Sequence, residues 1–175
     1  MKKSVLFFSI LISALVLSGC TTQIRHDEVL TSPTKLERGQ KIYVAVANDG
    51  SYGSNVFAGS GMRISHTLAA CLRPGASDIK LAPANEPIDK VLESAKNYGA
   101  RYAVIPTITN WEQRAAAWSG RPTRAAMIIV VHDIAANKQI LSNQIDVKGR
   151  SVTFVSQSVD ELAQKAIVKY CDNAF

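Results

Sequence analysis

Strand-like and helix-like segments alternate between residues 41 and 112, and this alternation limits the fold to one with parallel strands. Lys41–Asn48 is an almost wholly apolar run, typical of a strand that is buried on both faces. Asp78–Leu81 and residues 100–112 are two further predicted strands, and a helical pattern precedes each of them. Because a helical crossover returns the chain to the same end of a sheet, we expect these strands to be parallel.

The two crossover helices are predicted from apolar stripes with helical spacing. The first covers Val56–Leu72 and stops at Pro74 and Gly75, and the second runs from a cap at Asn85 to Gly99. The stripes consist of Ile64, Leu68, Cys71 and Leu72 in the first helix and of Ile88, Val91, Leu92, Ala95 and Tyr98 in the second.

The second half of the chain is predicted to add antiparallel strands and one helix. Residues 124–134 and 139–149 are strands joined by a short turn, and Pro106 indicates an edge or a bulge near the third strand. Ser158 and Glu161 have the spacing of a capping box, which opens a helix through Tyr170. The resulting order, β-α-β-α-β-β-β-α, predicts an α/β (α+β) fold with a mixed sheet of about five strands and three helices packed on one face.

The amino terminus has the features of an export signal. Two lysines precede Val5–Leu17, an apolar run of 13 residues that is shorter than the ~20 residues needed to span a bilayer. This pattern predicts a secretory signal peptide over residues 1–19. Leu17-Ser18-Gly19-Cys20 resembles the lipobox of bacterial lipoproteins; the alternative is a plain secretory signal that happens to contain Cys20.

The lipobox resemblance implies cleavage before Cys20 and a diacylglycerol plus an acyl chain, such as palmitate, on the new terminus. Several acyl chains anchor a protein stably, whereas one holds it only marginally. In lipoproteins of this type, Asp after the lipidated Cys tends to retain the protein at the inner membrane. Here the next residue is Thr21, so the resemblance implies the outer membrane, on its periplasmic face. Residues 20–40 are polar and are predicted to be a flexible tether, leaving 41–175 as a single domain.

The mature chain of 156 residues carries a formal charge of +4, because the signal peptide removes Lys2 and Lys3. In the periplasm, we expect this modest and scattered basic excess to aid contact with lipid phosphates, an acidic glycan or an acidic protein, and we expect neither nucleic acid nor a nucleotide. In an oxidising compartment, Cys71 and Cys171 form either a disulfide that closes a loop of roughly 100 residues or two buried free thiols.

A glycine-rich stretch over residues 48–61 resembles a phosphate-binding loop only in composition. Met62 and Arg63 follow Gly61 where a Walker loop has Lys and Ser or Thr, and the glycine spacing differs from that of a dinucleotide-binding turn. We therefore expect a flexible turn that lets a strand and a helix pack. The alternative is a loop whose backbone amides hold an anion.

The sequence predicts no enzyme, cofactor or metal site. His26 lies in the predicted tether, His66 is five residues from Cys71, which is a poor spacing for one helical face, and His132 ends a predicted strand. No paired-cysteine or H-E-x-x-H spacing is present. The richest local chemistry lies between Trp111 and Arg124, where aromatic and arginine side chains suited to binding are interleaved. The residues predicted to bind a partner are Trp111, Glu112, Arg114, Trp118 and Arg121. The alternative is that the tryptophans cover the end of the sheet and the arginines are solvated.

Three motifs in this region resemble a family of bacterial lipoproteins known only as a domain of unknown function. They are Pro106–Glu112, Trp118–Gly120 and Asp133–Ala135. The element order is also similar to the N-terminal domain of the translocation protein TolB. The family carries no known activity. From the export signal and the missing catalytic residues, we expect a non-enzymatic binding or accessory module in envelope assembly; the alternative is a subunit of an oligomeric secretion or surface-appendage assembly.

Overall fold

A computed structural model describes residues 23–28, 35–114, 121–149 and 157–175. The strands are β1 (Gln23–Glu28), β2 (Lys41–Val44), β3 (Gly50–Tyr52), β4 (Asn55–Phe57), β5 (Asp78–Leu81), β6 (Tyr102–Glu112), β7 (Arg124–Asp133) and β8 (Lys138–Lys148). The helices are α1 (Ser60–Leu72), α2 (Ile88–Tyr98) and α3 (Val159–Cys171), and a 3₁₀ turn covers Arg73–Gly75. A mixed sheet has the order β1-β8-β7-β6-β2-β5, and β3 and β4 form a separate hairpin.

The predicted α/β class and element order are confirmed. Strand β2 pairs in parallel with β5 and β6, and β6, β7 and β8 follow as antiparallel neighbours. Pro106 lies on β6 beyond Val104, the last residue paired with β2, so its missing N–H breaks no ladder bond on that side. A bulge follows between Ile108 and Asn110.

The segment predicted to be a tether contributes to the fold, which corrects that prediction. Strand β1 pairs antiparallel with β8, from Gln23 opposite Lys148 to Glu28 opposite Asn143. Leu36 is buried, and its backbone N–H donates to the carbonyl of Ala174 at 2.8 Å. An edge strand is held by backbone hydrogen bonds on one side, so a largely polar sequence can form it.

The helices lie on both faces of the sheet, whereas the sequence predicted one. Ile42 and Val44 of β2 belong to the core cluster that includes residues of α1 and α3, while Tyr43 and the following Ala45 belong to the cluster that includes residues of α2. Successive side chains of a strand point to opposite faces, so α2 forms a second layer.

The second layer covers only part of the sheet. Helix α2 packs on β2 and β6, whereas β7 and β8 lie farther along the sheet. On β7, Met127 and Ile129 are fully buried beneath α3, but Ile128 and Val130 on the other face are only half-buried. We call this side of β7 and β8 the open face.

Two predicted caps differ in the structure. Ser158 stands at the start of α3 without a side-chain capping bond, and the N–H of Val159 donates instead to Oε1 of Gln113 at 2.7 Å. Asn85 precedes α2 but donates to the carbonyl of Val46, and Pro87 occupies the cap position. Within the described ranges, no helix has the length and apolar character needed to cross a bilayer.

A disulfide joins the carboxyl ends of α1 and α3. It links Cys71 to Cys171, whose Cα atoms are 5.9 Å apart, and it closes a loop with a sequence separation of 100. This Cα distance is in the range usual for disulfides. The bond connects the first helix covalently to the last, and the loop that it closes contains most of the domain's sequence.

Candidate functional site

The strands β1, β8, β7 and β6 end together in a row of charged residues. Gln23 is opposite Lys148, Lys148 is opposite Arg124, and Arg124 is opposite Glu112. Arg114 follows β6 and Arg121 precedes β7, so both lie at this end of the sheet. We call Arg114, Arg121, Arg124 and Lys148 the basic rim.

Two cavities lie at this end and share Arg124. The first, about 230 Å³, is lined by Glu112, Arg114, Arg121, Pro122 and Arg124. The second, about 530 Å³, is lined by Ile24, Asn110, Arg124, Ala125, Ala126, Asp146, Val147 and Lys148. Arg124 and Lys148 share their side of the sheet with Ala126 and Asp146, because positions two residues apart share a face. The basic rim is therefore continuous with the open face.

Arg114 is held in place by three neighbours. Its guanidinium forms an ion pair with the buried carboxylate of Glu112. Its Nη2 donates to the hydroxyl of Tyr52 at 2.7 Å, and the guanidinium lies over the Tyr52 ring, 5.3 Å from the centroid. The Thr123 hydroxyl bonds to the Arg114 backbone. Arg114 thus connects the β3–β4 hairpin with β6 and with the start of β7.

Trp111 belongs to the core and is 0% exposed. Gly50 of β3 lies so close to the indole that any side chain at position 50 would overlap the ring. The β3–β4 hairpin therefore covers Trp111, which leaves no ring surface there for a partner. Trp118, the other tryptophan predicted to bind, lies outside the described residues.

The tip of the β3–β4 hairpin exposes apolar surface beside the basic rim. Val56 is 68% exposed and Tyr52 is 41% exposed. Both lie at the same end of the sheet as Arg114, because Gly50 contacts Trp111 and the Tyr52 hydroxyl bonds to Arg114.

The glycine-rich loop contains this hairpin, and a carboxylate of the loop itself occupies two of its backbone amides. The carboxylate of Asp49 accepts hydrogen bonds from the N–H of Gly59 at 3.0 Å and of Gly61 at 2.9 Å. Gly61 also approaches the carbonyls of Ala47 and Asn48 too closely for a side chain. At the start of α1, two backbone amides that would face a phosphate in a nucleotide-binding loop are thus occupied by Asp49.

The histidines are spread over separate surfaces. His66 is exposed on α1, His132 is half-buried on β7, and the side chain of His26 is outside the described set. Burial lowers the pKa of His132, so its ring is neutral at neutral pH and adds no positive charge to the open face. No three His, Cys, Asp or Glu side chains among the described residues are grouped as metal ligands would be.

Several solved structures share this fold. A PelC dodecamer from Paraburkholderia phytofirmans has 21% sequence identity and a TM-score of 0.65, over 88% of this chain and 97% of that chain. A protein from Xanthomonas campestris of the family DUF330 has 10% identity and a TM-score of 0.52, over 80% and 84%. Lipoprotein GNA1162 from Neisseria meningitidis has 13% identity and a TM-score of 0.50, over 78% and 99%. At these identities the likeness shows the fold alone.

The sequence itself identifies a family. Among curated proteins, no significant match to the chain was found. A family model matches residues 34–174, which include every element from β2 to α3. The chain therefore belongs to the family described as domain of unknown function DUF4823.

Proposed function

We propose that this protein is a bacterial lipoprotein that serves as a non-enzymatic binding module in envelope assembly. In this proposal, the lipid on Cys20 holds it at the periplasmic face of the outer membrane. The residues that resemble a lipobox support the anchor. A fold shared with a lipoprotein of Neisseria meningitidis is consistent with it.

The observation that carries the binding role is the open face. Ile128 and Val130 present apolar side chains on a regular strand, and the neighbouring strands add Thr107, Ser142 and Gln144, whose side chains can form hydrogen bonds. Strands of a sheet hold such groups in fixed positions, so little conformational entropy is lost when a partner covers them. A mixed apolar and polar patch of this kind is typical of protein–protein interfaces.

A second candidate function is a subunit of an oligomeric envelope assembly, of the secretion or surface-appendage type. The shared fold with PelC, which forms a dodecamer, favours this candidate. It also favours a specific occupant of the open face, namely a second copy of this chain.

Replacing Val130 with lysine is expected to reduce the native mass of the mature protein in mild detergent from an oligomer to a monomer. The added charge would be buried without a partner in the interface, and this is costly. The matched control is Val168→Lys on α3, where the valine is 49% exposed and lies away from the open face. The measurement is native mass spectrometry, with the melting temperature as a check of folding.

If wild type and both variants are all monomeric, self-association through the open face is wrong. A photocrosslinker at position 130 in intact cells then tests the binding module itself. A crosslink from position 130 to a different envelope protein, with none from a control position such as 168, would support a binding module. The absence of any crosslink from position 130 would refute it.

A further inference from the structure

The chain between the proposed anchor and the fold is short. Cys20 is three residues before Gln23, where β1 begins. Three residues span at most about 11 Å, even when fully extended. The position of β1 relative to a bilayer rests on the proposed function, since it requires a lipid on Cys20. With that lipid in place, the start of β1 lies close to the bilayer surface.

The strand register determines which part of the domain is brought to that surface. Gln23 is opposite Lys148, and Lys148 is opposite Arg124. Neighbouring strands are about 4.8 Å apart, so both basic residues lie within roughly 10 Å of β1 across the sheet. Lys138 is at the other end of β8, roughly 34 Å away at the usual rise per residue. The basic rim is therefore at the anchored end.

The exposed charges of the rim suit an anionic surface. Arg124 and Lys148 are both exposed, and neither forms an ion pair with another described residue. Glu112 is already paired with Arg114, so Asp146 is the one acid lining the two cavities that faces both Arg124 and Lys148, which leaves an excess of positive charge there. Other acids near this end, at the start of α3, are already paired: Asp160 with Arg63 and Glu161 with Lys165.

The hairpin tip adds the side chains expected at a membrane interface. Tyrosine concentrates at the headgroup level of bilayers, where its ring is apolar and its hydroxyl is hydrated. Tyr52 and Val56 are exposed beside the rim, at the same end of the sheet.

We propose that the basic rim and the tip of the β3–β4 hairpin rest on the anionic lipid headgroups of the leaflet that holds the Cys20 acyl chains. Attraction between basic side chains and such a surface acts over about one Debye length, ~8 Å at physiological salt, and the short link holds the anchored end of the sheet next to the surface where this attraction acts. The strands then stand away from the bilayer, and the open face remains free for another copy of the chain.

Energy transfer to the membrane tests this orientation. The acylated mature protein is reconstituted into vesicles of phosphatidylethanolamine and phosphatidylglycerol that contain an acceptor dye on the lipid headgroup. A donor dye is attached to Thr109→Cys or to Lys138→Cys, both exposed positions. Thr109 lies on β6, three strands from β1, so the link alone does not bring it to the surface.

Transfer from position 109 is expected to be several-fold greater than from position 138. Equal transfer, or greater transfer from position 138, would overturn the orientation. Mass spectrometry of the same samples reports whether Cys20 is acylated, so a wrong orientation can be distinguished from a missing lipid anchor.

A charge reversal tests the role of the headgroups. Arg124→Glu combined with Lys148→Glu is expected to lower the transfer from position 109 at least two-fold. In the protein that keeps Arg124 and Lys148, ~0.5 M salt is expected to lower the transfer as well, because it screens exposed charges. Lys80→Glu with Lys90→Glu makes the same change in net charge at exposed sites outside the rim and should leave the transfer unchanged. If the rim variant keeps its melting temperature and its full transfer, the proposed contact is refuted; Arg124→Gln with Lys148→Gln repeats the test if the reversal impairs folding.

Discussion

Replacing Trp111 with alanine is expected to lower the free energy of unfolding by about 3–5 kcal/mol. The indole is fully buried, between the core under α1 and α3 and the backbone of β3 at Gly50. Its removal leaves a cavity that the rigid sheet cannot close, and it also removes the surface on which the β3–β4 hairpin packs. Urea unfolding followed by circular dichroism measures the change.

Tyr52→Ala is the matched control, because it removes an aromatic ring from the same hairpin at a position that is 41% exposed. We expect a loss of about 1 kcal/mol or less, since a partly exposed ring gives up less burial. Similar losses for the two variants would contradict the packing of Trp111 beneath β3.

Removal of the disulfide is expected to produce a loss of comparable size. Cys71→Ala with Cys171→Ala frees a loop with a sequence separation of 100. The chain-entropy model gives about 4.7 kcal/mol for such a loop. Domains of this size are stable by only about 5–15 kcal/mol, so the variant is expected to be marginally folded.

The measurement is the urea midpoint of the wild type with and without reductant, compared with that of the double variant. Reductant should lower the midpoint of the wild type and leave that of the variant unchanged. Two free thiols in the unfolded, unreduced protein, in addition to Cys20, would contradict the bond.

The central part of the fold could be predicted because its segments are strongly patterned. The apolar run at Lys41–Asn48 and the stripe of α2 contain enough buried residues to identify their structure from spacing alone. Strand β1 could not be found in this way. It is held by its backbone pairing with β8, and its polar side chains carry no alternation that would reveal a strand.

The positions of the helices depend on the strand order, which spacing does not reveal. The chain passes from β2 outwards to β5 and then back across β2 to β6. Crossovers between parallel strands are right-handed, so two crossovers in opposite directions place α1 and α2 on opposite faces. The open face is a consequence of this arrangement and of the number of strands beyond β6.

The sequence identified several residues of the candidate site, but it did not predict what each of them contacts. Trp111, Glu112 and Arg114 stood out from their composition, but the structure buries the first and pairs the other two with each other. The covering hairpin was missed because β3 and β4 are three residues each and rich in Gly, Ser and Asn. Lys148 was not singled out, since only the register of β8 places it beside Arg124.

The proposed placement of this protein on a membrane requires a lipid at Cys20, and metabolic labelling tests it most directly. Cells that express the wild type or Cys20→Ser are grown with radiolabelled palmitate, and the protein is purified and weighed. We expect label in the wild type, at a mass that lacks residues 1–19, and no label in the variant. An unlabelled wild type, or a Cys20→Ser protein that still sediments with membranes at its processed mass, would contradict it.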